Sequence, residues 1–194
     1  MNISADTILS IALGVGLAAA VGLRIFLPLL MLSIAAHLGW VALSADFFWL
    51  AGHAALLTLS VAACVEIAAY YVPGLDHALD VMAAPLALAA GVLAMAAVLT
   101  DLPPHVKWAV AIIAGAGAAG LTQGASTAVR AKSGLFTAGL ANPLVATAEW
   151  GGAAGMSLLA IFVPMAALVL VMFGVLALIA LRRVIFPRKE KPAP

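Results

Sequence analysis

Three ionisable side chains lie within strongly apolar stretches of the sequence: Arg24, Glu66 and Glu149. Charged groups are costly inside a membrane, so such residues are functional candidates by default. The simplest chemistry open to them is ion pairing, with Arg24 held by one or both glutamates. In that arrangement Arg24 is an electrostatic anchor, and the glutamates are its counter-charges or proton carriers.

Each of these residues also has a simpler interpretation. Arg24 could extend to a membrane interface or satisfy free carbonyl groups at a helix break. Glu66, one turn before Tyr70, and Glu149, beside Trp150, could both lie at an interface. The sequence leaves these alternatives open.

A polar run in the second half of the chain adds further candidates for a transport path: Thr122, Gln123, Ser126, Thr127, Arg130 and Asn142. Irregular backbone at membrane depth occurs only where it is buried in protein or lines a wet cavity. If the run lies at depth, its hydroxyl groups could line a path, and half-helix N-termini there would favour anions. The alternative is a cytoplasmic loop with a short amphipathic helix.

A polar loop contains Asp76, His77 and Asp80. His77 and Asp80 are three residues apart, which is a possible spacing for metal ligands on a helix face. The loop therefore supports the hypothesis of a membrane enzyme, whereas the simpler interpretation is a loop with helix-capping aspartates. The sequence shows no catalytic serine–histidine–acid set, zinc-binding pattern or nucleotide-binding loop. We predict no cofactor and assign no metal ligand.

The composition explains why charge within these stretches matters. The chain has 194 residues, of which 66% are hydrophobic and 9% are charged, and its mean hydropathy is +1.21. A soluble domain is about 45–50% apolar and about 25% charged, so the soluble and disordered classes are excluded. The composition predicts an all-α, polytopic transmembrane helical bundle in contact with the lipid bilayer.

The basic residues predict the orientation of the chain. Five of the nine lie in the last thirteen positions: Arg182, Arg183, Arg188, Lys189 and Lys191. Basic residues beside a span stay on the cytoplasmic side, so we expect a cytoplasmic C-terminus in an inner membrane. The rest of the chain has no basic face, which argues against nucleic-acid binding.

The elements that position these residues follow from the lengths of the apolar segments. A spanning helix needs about 20 apolar residues. One transmembrane domain over 1–182 and a basic tail over 183–194 are predicted, with about six to seven membrane segments: 7–23, 25–43, 47–72, 81–100, 105–121, 122–152 and 153–181. Arg24 marks a break between the first two segments, since one helix over both would be about 55 Å long. The segment 122–152 is predicted to be broken or re-entrant.

A weak internal similarity suggests a two-fold repeat. Residues 19–23 resemble residues 118–121, and each stretch precedes a region rich in helix breakers. The halves would be 7–72 and 105–181, joined by the helix 81–100. Transporters are often built from such repeats. In a chain rich in alanine and glycine, the match could also arise by chance.

Several strings of residues also resemble a known family. They are Gly22-Leu23-Arg24 with Pro28-Leu29-Leu30, Glu66, residues 73–80 with Pro85, Ser126-Thr127, Arg130, residues 137–143 and Glu149. Over about residues 10–175 the chain is similar to an uncharacterised bacterial membrane family, domain of unknown function 4126. It departs from that pattern at Ala138, where a glycine is usual, and at Trp150, where an acid often follows the glutamate. The resemblance implies that these polar positions form one unit, and it implies no activity.

Two functions fit these observations best. The first is a small inner-membrane transporter or channel for a small solute or ion, with a polar path between broken helices. The second is a non-catalytic subunit of a membrane complex, in which the charges stabilise the bundle. Close packing of small residues is compatible with a homo-oligomer or with membrane partners in either case.

Overall fold

The computed structural model describes residues 4–71, 75–137 and 140–185, without the side chains at 75–81 and 181–185. Within these ranges the fold is all-α, as predicted, with one 3-10 helix and one π-helical turn. The elements are α1 (Ala5–Val21), α2 (Phe26–His37), the 3-10 helix (Ala45–Ala51), α3 (His53–Ala69), α4 (Leu75–Val98), α5 (Pro104–Val110), the π-helical turn (Ala111–Gly115), α6 (Ala116–Thr137), α7 (Asn142–Phe162) and α8 (Pro164–Ile185).

In the described part of the chain, two helices are long and apolar enough to cross a bilayer: Pro104–Thr137, in which α5, the π-helical turn and α6 run on without a break, and Asn142–Phe162. The pair Ala45–Ala51 and His53–Ala69, bent by 66°, would make a third span if its two parts cross together. Four further apolar helices are shorter: Ala5–Val21, Phe26–His37, Met82–Val98 and Pro164–Ala180. These helices and the composition indicate a membrane protein, while six to seven segments remain a prediction.

Helix α1 is the centre of the bundle, because it packs against α2, α4, α6, α7 and α8. Its buried residues are mostly small, and Ala12, Leu17, Ala18, Ala20 and Val21 are fully covered. Lipid provides no hydrophobic force between helices, so close van der Waals contact between small residues holds them together. A chain this rich in alanine is suited to that kind of packing.

Glycines allow two close helix crossings. At the end of α1, a Cβ on Gly22 would overlap Thr122 Oγ1 and the carbonyl oxygen of Ala119 in α6. Where α4 crosses the π-helical turn, a Cβ on Gly91 would lie 2.8 Å from the carbonyl oxygen of Gly115, and one on Gly115 would lie 2.6 Å from that of Gly91. A larger residue at any of the three glycines would therefore push two helices apart.

The predicted break between the first two apolar segments is present. Helix α1 ends at Val21 and α2 begins at Phe26, and the Arg24 amide donates to the Ala20 carbonyl at 3.1 Å to close the turn. Pro28 lies in the first turn of α2, where its missing N–H has no helical partner to lose. The turn places the Arg24 side chain inside the bundle, with 1% of its surface exposed.

The predicted boundary between segments 105–121 and 122–152 is wrong, because α6 is continuous from Ala116 to Thr137. Thr122 to Arg130 therefore lie inside a regular helix, whereas Asn142 begins the next one. Glycine costs about 1 kcal/mol relative to alanine in a helix, which the surrounding alanines and the packing against neighbours can offset. The interruption predicted within 122–152 comes later in the segment, where α6 ends at Thr137 and α7 begins at Asn142.

The predicted segment 153–181 is also wrong, because it joins parts of two helices that meet at Val163. The Val163 backbone is not helical, with φ −137° and ψ 67°. The ring of Pro164 clashes with a helical conformation at the preceding residue, and a proline is well suited to begin a helix. Pro164 therefore marks a complete break between α7 and α8.

The internal two-fold repeat remains a prediction. Residues 19–23 end a helix, whereas residues 118–121 lie within α6. The two stretches nevertheless pack against each other, since Ala18, Ala19 and Ala118 form one apolar cluster. Whether or not they share an origin, they form one of the contacts between α1 and α6.

Candidate functional site

The predicted ion pair of Arg24 is formed with Glu149. The Arg24 Nη2 donates to Glu149 Oε2 at 2.6 Å. Arg24 comes from the turn between α1 and α2, and Glu149 from the middle of α7, so the pair joins two distant parts of the chain. Both side chains are buried, with 1% and 7% exposed. Arg24 therefore lies in the interior and does not extend to an interface.

Glu149 also binds a second arginine. Arg130 of α6 donates from Nε to Glu149 Oε1 at 2.9 Å and pairs through Nη2 with Glu149 Oε2. The Ser126 hydroxyl, one helical turn before Arg130, donates to Glu149 Oε1. One carboxylate is thus held by two guanidinium groups and a hydroxyl, a strong charge-assisted arrangement. We call Arg24, Ser126, Arg130 and Glu149 the polar cluster.

Glu66 has a different role from the predicted pairing with Arg24. Its two carboxylate oxygens accept hydrogen bonds from the backbone N–H groups of Ile25, at 2.9 Å, and Phe26, at 3.0 Å. These are amides at the start of α2, which have no partner within the helix, and the N-terminal end of a helix attracts negative charge. Glu66 of α3 therefore caps α2 from outside and fixes the turn that carries Arg24.

Aromatic rings cover the cationic side of the polar cluster. The guanidinium carbon of Arg24 lies 3.7 Å from the centre of the Tyr70 ring, and that of Arg130 lies 4.4 Å from the same ring. The Trp150 ring is 5.4 Å from the Arg24 carbon. Such contacts are favourable, and more so where water is excluded. Tyr70 follows Glu66 by one helical turn and Trp150 adjoins Glu149, a spacing that was interpreted as a sign of an interface and instead places both rings at the cluster.

The other residues of the polar run serve separate contacts. Thr122 Oγ1 donates to the carbonyl oxygen of Ala19 at 2.9 Å and so ties α6 to the end of α1. Gln123 Nε2 donates to Thr127 Oγ1 at 3.4 Å, within α6. Asn142 begins α7, two helical turns before Glu149. Of the polar run, Ser126 and Arg130 belong to the cluster.

The Asp76, His77 and Asp80 side chains lie outside the described residues. Their backbone forms the first turns of α4, which begins at Leu75, so the loop predicted before residue 81 is wrong. Among the side chains that the structure describes, no three His, Cys, Asp or Glu residues are grouped as metal ligands. The hypothesis of a metal-dependent enzyme at this position stays a prediction.

A second ion pair was not predicted from the sequence. Lys107 of α5 donates to Asp46 Oδ2 of the 3-10 helix at 2.6 Å. The lysine is buried, whereas the aspartate is exposed. The Lys107 ammonium also lies 5.9 Å from the rings of Phe47 and Trp108. Asp46 and Lys107 each follow a turn in the sequence, and that position alone does not predict contact between them.

Two mostly apolar cavities are lined by residues adjacent to the polar cluster. One, of about 650 Å³, is lined by Glu66 and Tyr70 together with residues of α2, α3 and α4. The other, of about 790 Å³, is lined by Thr122 and by Leu23, the neighbour of Arg24, together with residues of α1, α7 and α8. Both volumes lie within the range of small-molecule sites, about 300–1,000 Å³. Residues next to the polar cluster thus line two separate cavities, whereas its own four side chains line neither.

Comparison with known proteins identifies the family of the chain. No curated protein and no solved structure matches it. The model of one family, described as domain of unknown function (DUF4126), matches residues 11–183. The match includes every residue of the polar cluster, and the predicted family is confirmed. The chain belongs to the DUF4126 family.

Proposed function

We propose that this protein is a membrane transporter or channel for a small polar solute, and that the polar cluster is its solute site. The observation that carries the proposal is one buried carboxylate, Glu149, which pairs with both Arg24 and Arg130. Arg24 lies at the break between α1 and α2. Ionisable groups inside membrane proteins mark the pathways of substrates and ions. Short and interrupted helices around such a group are typical of transporter sites.

The energetics of burial support a functional role. A buried ion pair often stabilises a protein no better than apolar residues of similar volume. Stability alone therefore does not explain why the turn after α1 meets α6 and α7 through charges, when alanines pack the rest of α1. A site that must bind and release a polar solute does require them.

The arrangement suggests how a solute would be bound. Each guanidinium of the cluster donates to Glu149, so a solute with its own acceptor atoms would compete with that carboxylate. The Glu66 cap holds the Arg24 turn in place, whereas Ser126 and Arg130 move with α6. Displacement of Glu149 would loosen α7 from both. Arg24 and Arg130 are then the binding residues, and Glu149 is the internal competitor.

A swelling assay tests the proposal without knowledge of the solute. Liposomes containing the protein are mixed with an excess of formate, chloride, urea or glycerol, and their volume recovery is followed by light scattering. We expect at least one solute to enter faster than it enters protein-free liposomes. Arg24→Lys keeps the charge but loses the planar geometry that holds Glu149, and we expect it to slow that entry about tenfold.

The matched control lies in the second ion pair. Asp46→Asn changes a charge outside the cluster on an exposed side chain, and we expect unchanged solute entry. Entry no faster than in empty liposomes for every solute, from protein whose helical content and size are intact, would argue against a transporter. An Arg24→Lys variant as active as the wild type would remove the cluster from the path.

A structural subunit is the second candidate, and a different observation favours it. Large apolar side chains on α8 are exposed, among them Val169, Leu170, Phe173 and Leu176. They fit either lipid or the helices of partner proteins. A stoichiometric partner that co-purifies in mild detergent and is released by Phe173→Ala, together with a negative swelling assay, would favour this function.

A further inference from the structure

Two buried N–H groups near the polar cluster have no acceptor. Within the described part of the chain, Arg24 Nε and Trp150 Nε1 are both covered and make no hydrogen bond. An unsatisfied buried donor costs about 1–3 kcal/mol, so native proteins nearly always pair such groups. Arg24 and Trp150 are in contact, and each has one such donor. Their two N–H groups therefore indicate a bound molecule between or beside them.

The two donors belong to one location. The Arg24 guanidinium carbon lies 5.4 Å from the centre of the Trp150 ring, and Nε is bonded directly to that carbon. Trp150 also follows Glu149, the partner of Arg24, in α7. The Arg24–Glu149 ion pair thus holds both donors in place, since Arg24 is one partner and Trp150 is the chain neighbour of the other.

The two buried glutamates near these donors have other partners. Glu149 Oε1 accepts from Ser126 and Arg130, and its Oε2 accepts from Arg24 and Arg130. The oxygens of Glu66 accept from the amides at the start of α2. Neither glutamate accepts a hydrogen bond from Arg24 Nε or Trp150 Nε1, so a bound molecule with an acceptor atom would satisfy both.

We propose that a small monovalent anion binds at this position, with Arg24 Nε and Trp150 Nε1 as donors. Both unpaired atoms at this position are N–H donors, which an anion satisfies and a cation does not. The formal charges of Arg24 and Arg130 balance those of Glu66 and Glu149, and the N-terminus of α2 adds a partial charge of about +0.5. This small positive excess suits one negative charge. A halide or a carboxylate carries one negative charge and accepts strong hydrogen bonds.

The inference deepens the proposed function, on which it rests for the claim that the bound anion is also the transported solute. Binding itself can be tested separately. In detergent, we would measure the thermal unfolding midpoint of the purified protein against formate and chloride concentration. Gluconate, which is much larger, replaces the anion to keep the ionic strength constant. A ligand that binds only the folded state raises the midpoint in a saturable manner.

Two substitutions remove single donors, and one serves as a control. Trp150→Phe keeps the aromatic ring but loses the indole N–H, and Arg24→Lys keeps the charge but loses Nε. Trp49→Phe makes the same chemical change at an exposed tryptophan of the 3-10 helix. We expect formate or chloride to raise the midpoint of the wild type and of Trp49→Phe. We expect about tenfold weaker binding in Trp150→Phe, as for the loss of one hydrogen bond to a charged group.

The outcomes separate the two proposals. No saturable shift with either anion in the wild type would overturn the inference and leave an ordered water as the partner of both donors. Equal anion affinity in Trp150→Phe and Arg24→Lys would overturn it as well, because the anion would then bind elsewhere. Anion binding without entry into liposomes would support the site and contradict the transporter. Entry of urea or glycerol alone, without anion binding, would support the transporter and contradict the anion site.

Discussion

Replacing Glu149 by glutamine is expected to lower the free energy of unfolding by about 3–5 kcal/mol, the cost of removing one partner from a buried ion pair. The side chain keeps its volume, but Arg24 and Arg130 lose their shared negative charge while remaining buried. The free energy can be measured in mixed micelles, with helix content followed as SDS is added.

Two further variants show whether charge is the cause. Asp6→Asn makes the same chemical change on an exposed residue of α1, and we expect an effect within about 0.5 kcal/mol. Adding Arg24→Gln to Glu149→Gln removes one unpaired cation, so the double variant should be more stable than the sum of the single losses predicts. A Glu149→Gln protein within about 1 kcal/mol of the wild type would contradict the burial of two arginines on one carboxylate.

Substitution of Gly22 by alanine is expected to destabilise the bundle by about 3 kcal/mol, at the upper end of overpacking effects. The added methyl group would overlap both Thr122 Oγ1 and the backbone carbonyl of Ala119. A side chain can rotate away, but the backbone of a helix can only move as a whole. The same unfolding measurement in mixed micelles applies.

Gly124→Ala is the matched control, because it lies in the same partner helix and a Cβ there would meet nothing within 4 Å. Alanine is the better helix former by about 1 kcal/mol, so this variant should equal or exceed the wild type in stability. Thr122→Ala combined with Gly22→Ala should recover only part of the loss, since the carbonyl overlap remains. Full stability of Gly22→Ala alone would show that α1 and α6 are not in close contact.

The fold was predictable where physical constraints were strong. Apolar composition required helices, and the length of residues 7–43 required a break, which occurs beside Arg24. The cost of a buried charge required a partner for Arg24, and Glu149 provides it. In each case a single large free-energy cost excluded most other arrangements of the chain.

Other features depend on tertiary structure that no local pattern encodes. Helix α6 runs through the polar run because its hydroxyl groups find partners on α1, within α6 and on Glu149. Glu66 caps α2 rather than pairing with an arginine, which depends on where α3 places it. The pairing of Asp46 with Lys107 likewise requires contact between elements far apart in the chain.

Water access to the polar cluster is the most direct test of the central claim that this cluster is a solute site. With Cys64 replaced by alanine, Ser126→Cys places a thiol beside Glu149, and Ser157→Cys places one at a fully buried position two turns further along α7. A thiol must ionise in contact with water to react with a charged thiosulfonate reagent. We predict that this reagent, applied to protein in liposomes, modifies the cysteine at 126 and spares the one at 157. If a membrane-permeant reagent modifies the cysteine at 126 but the charged reagent leaves it intact from both sides, the cluster is sealed from water and the solute site is contradicted.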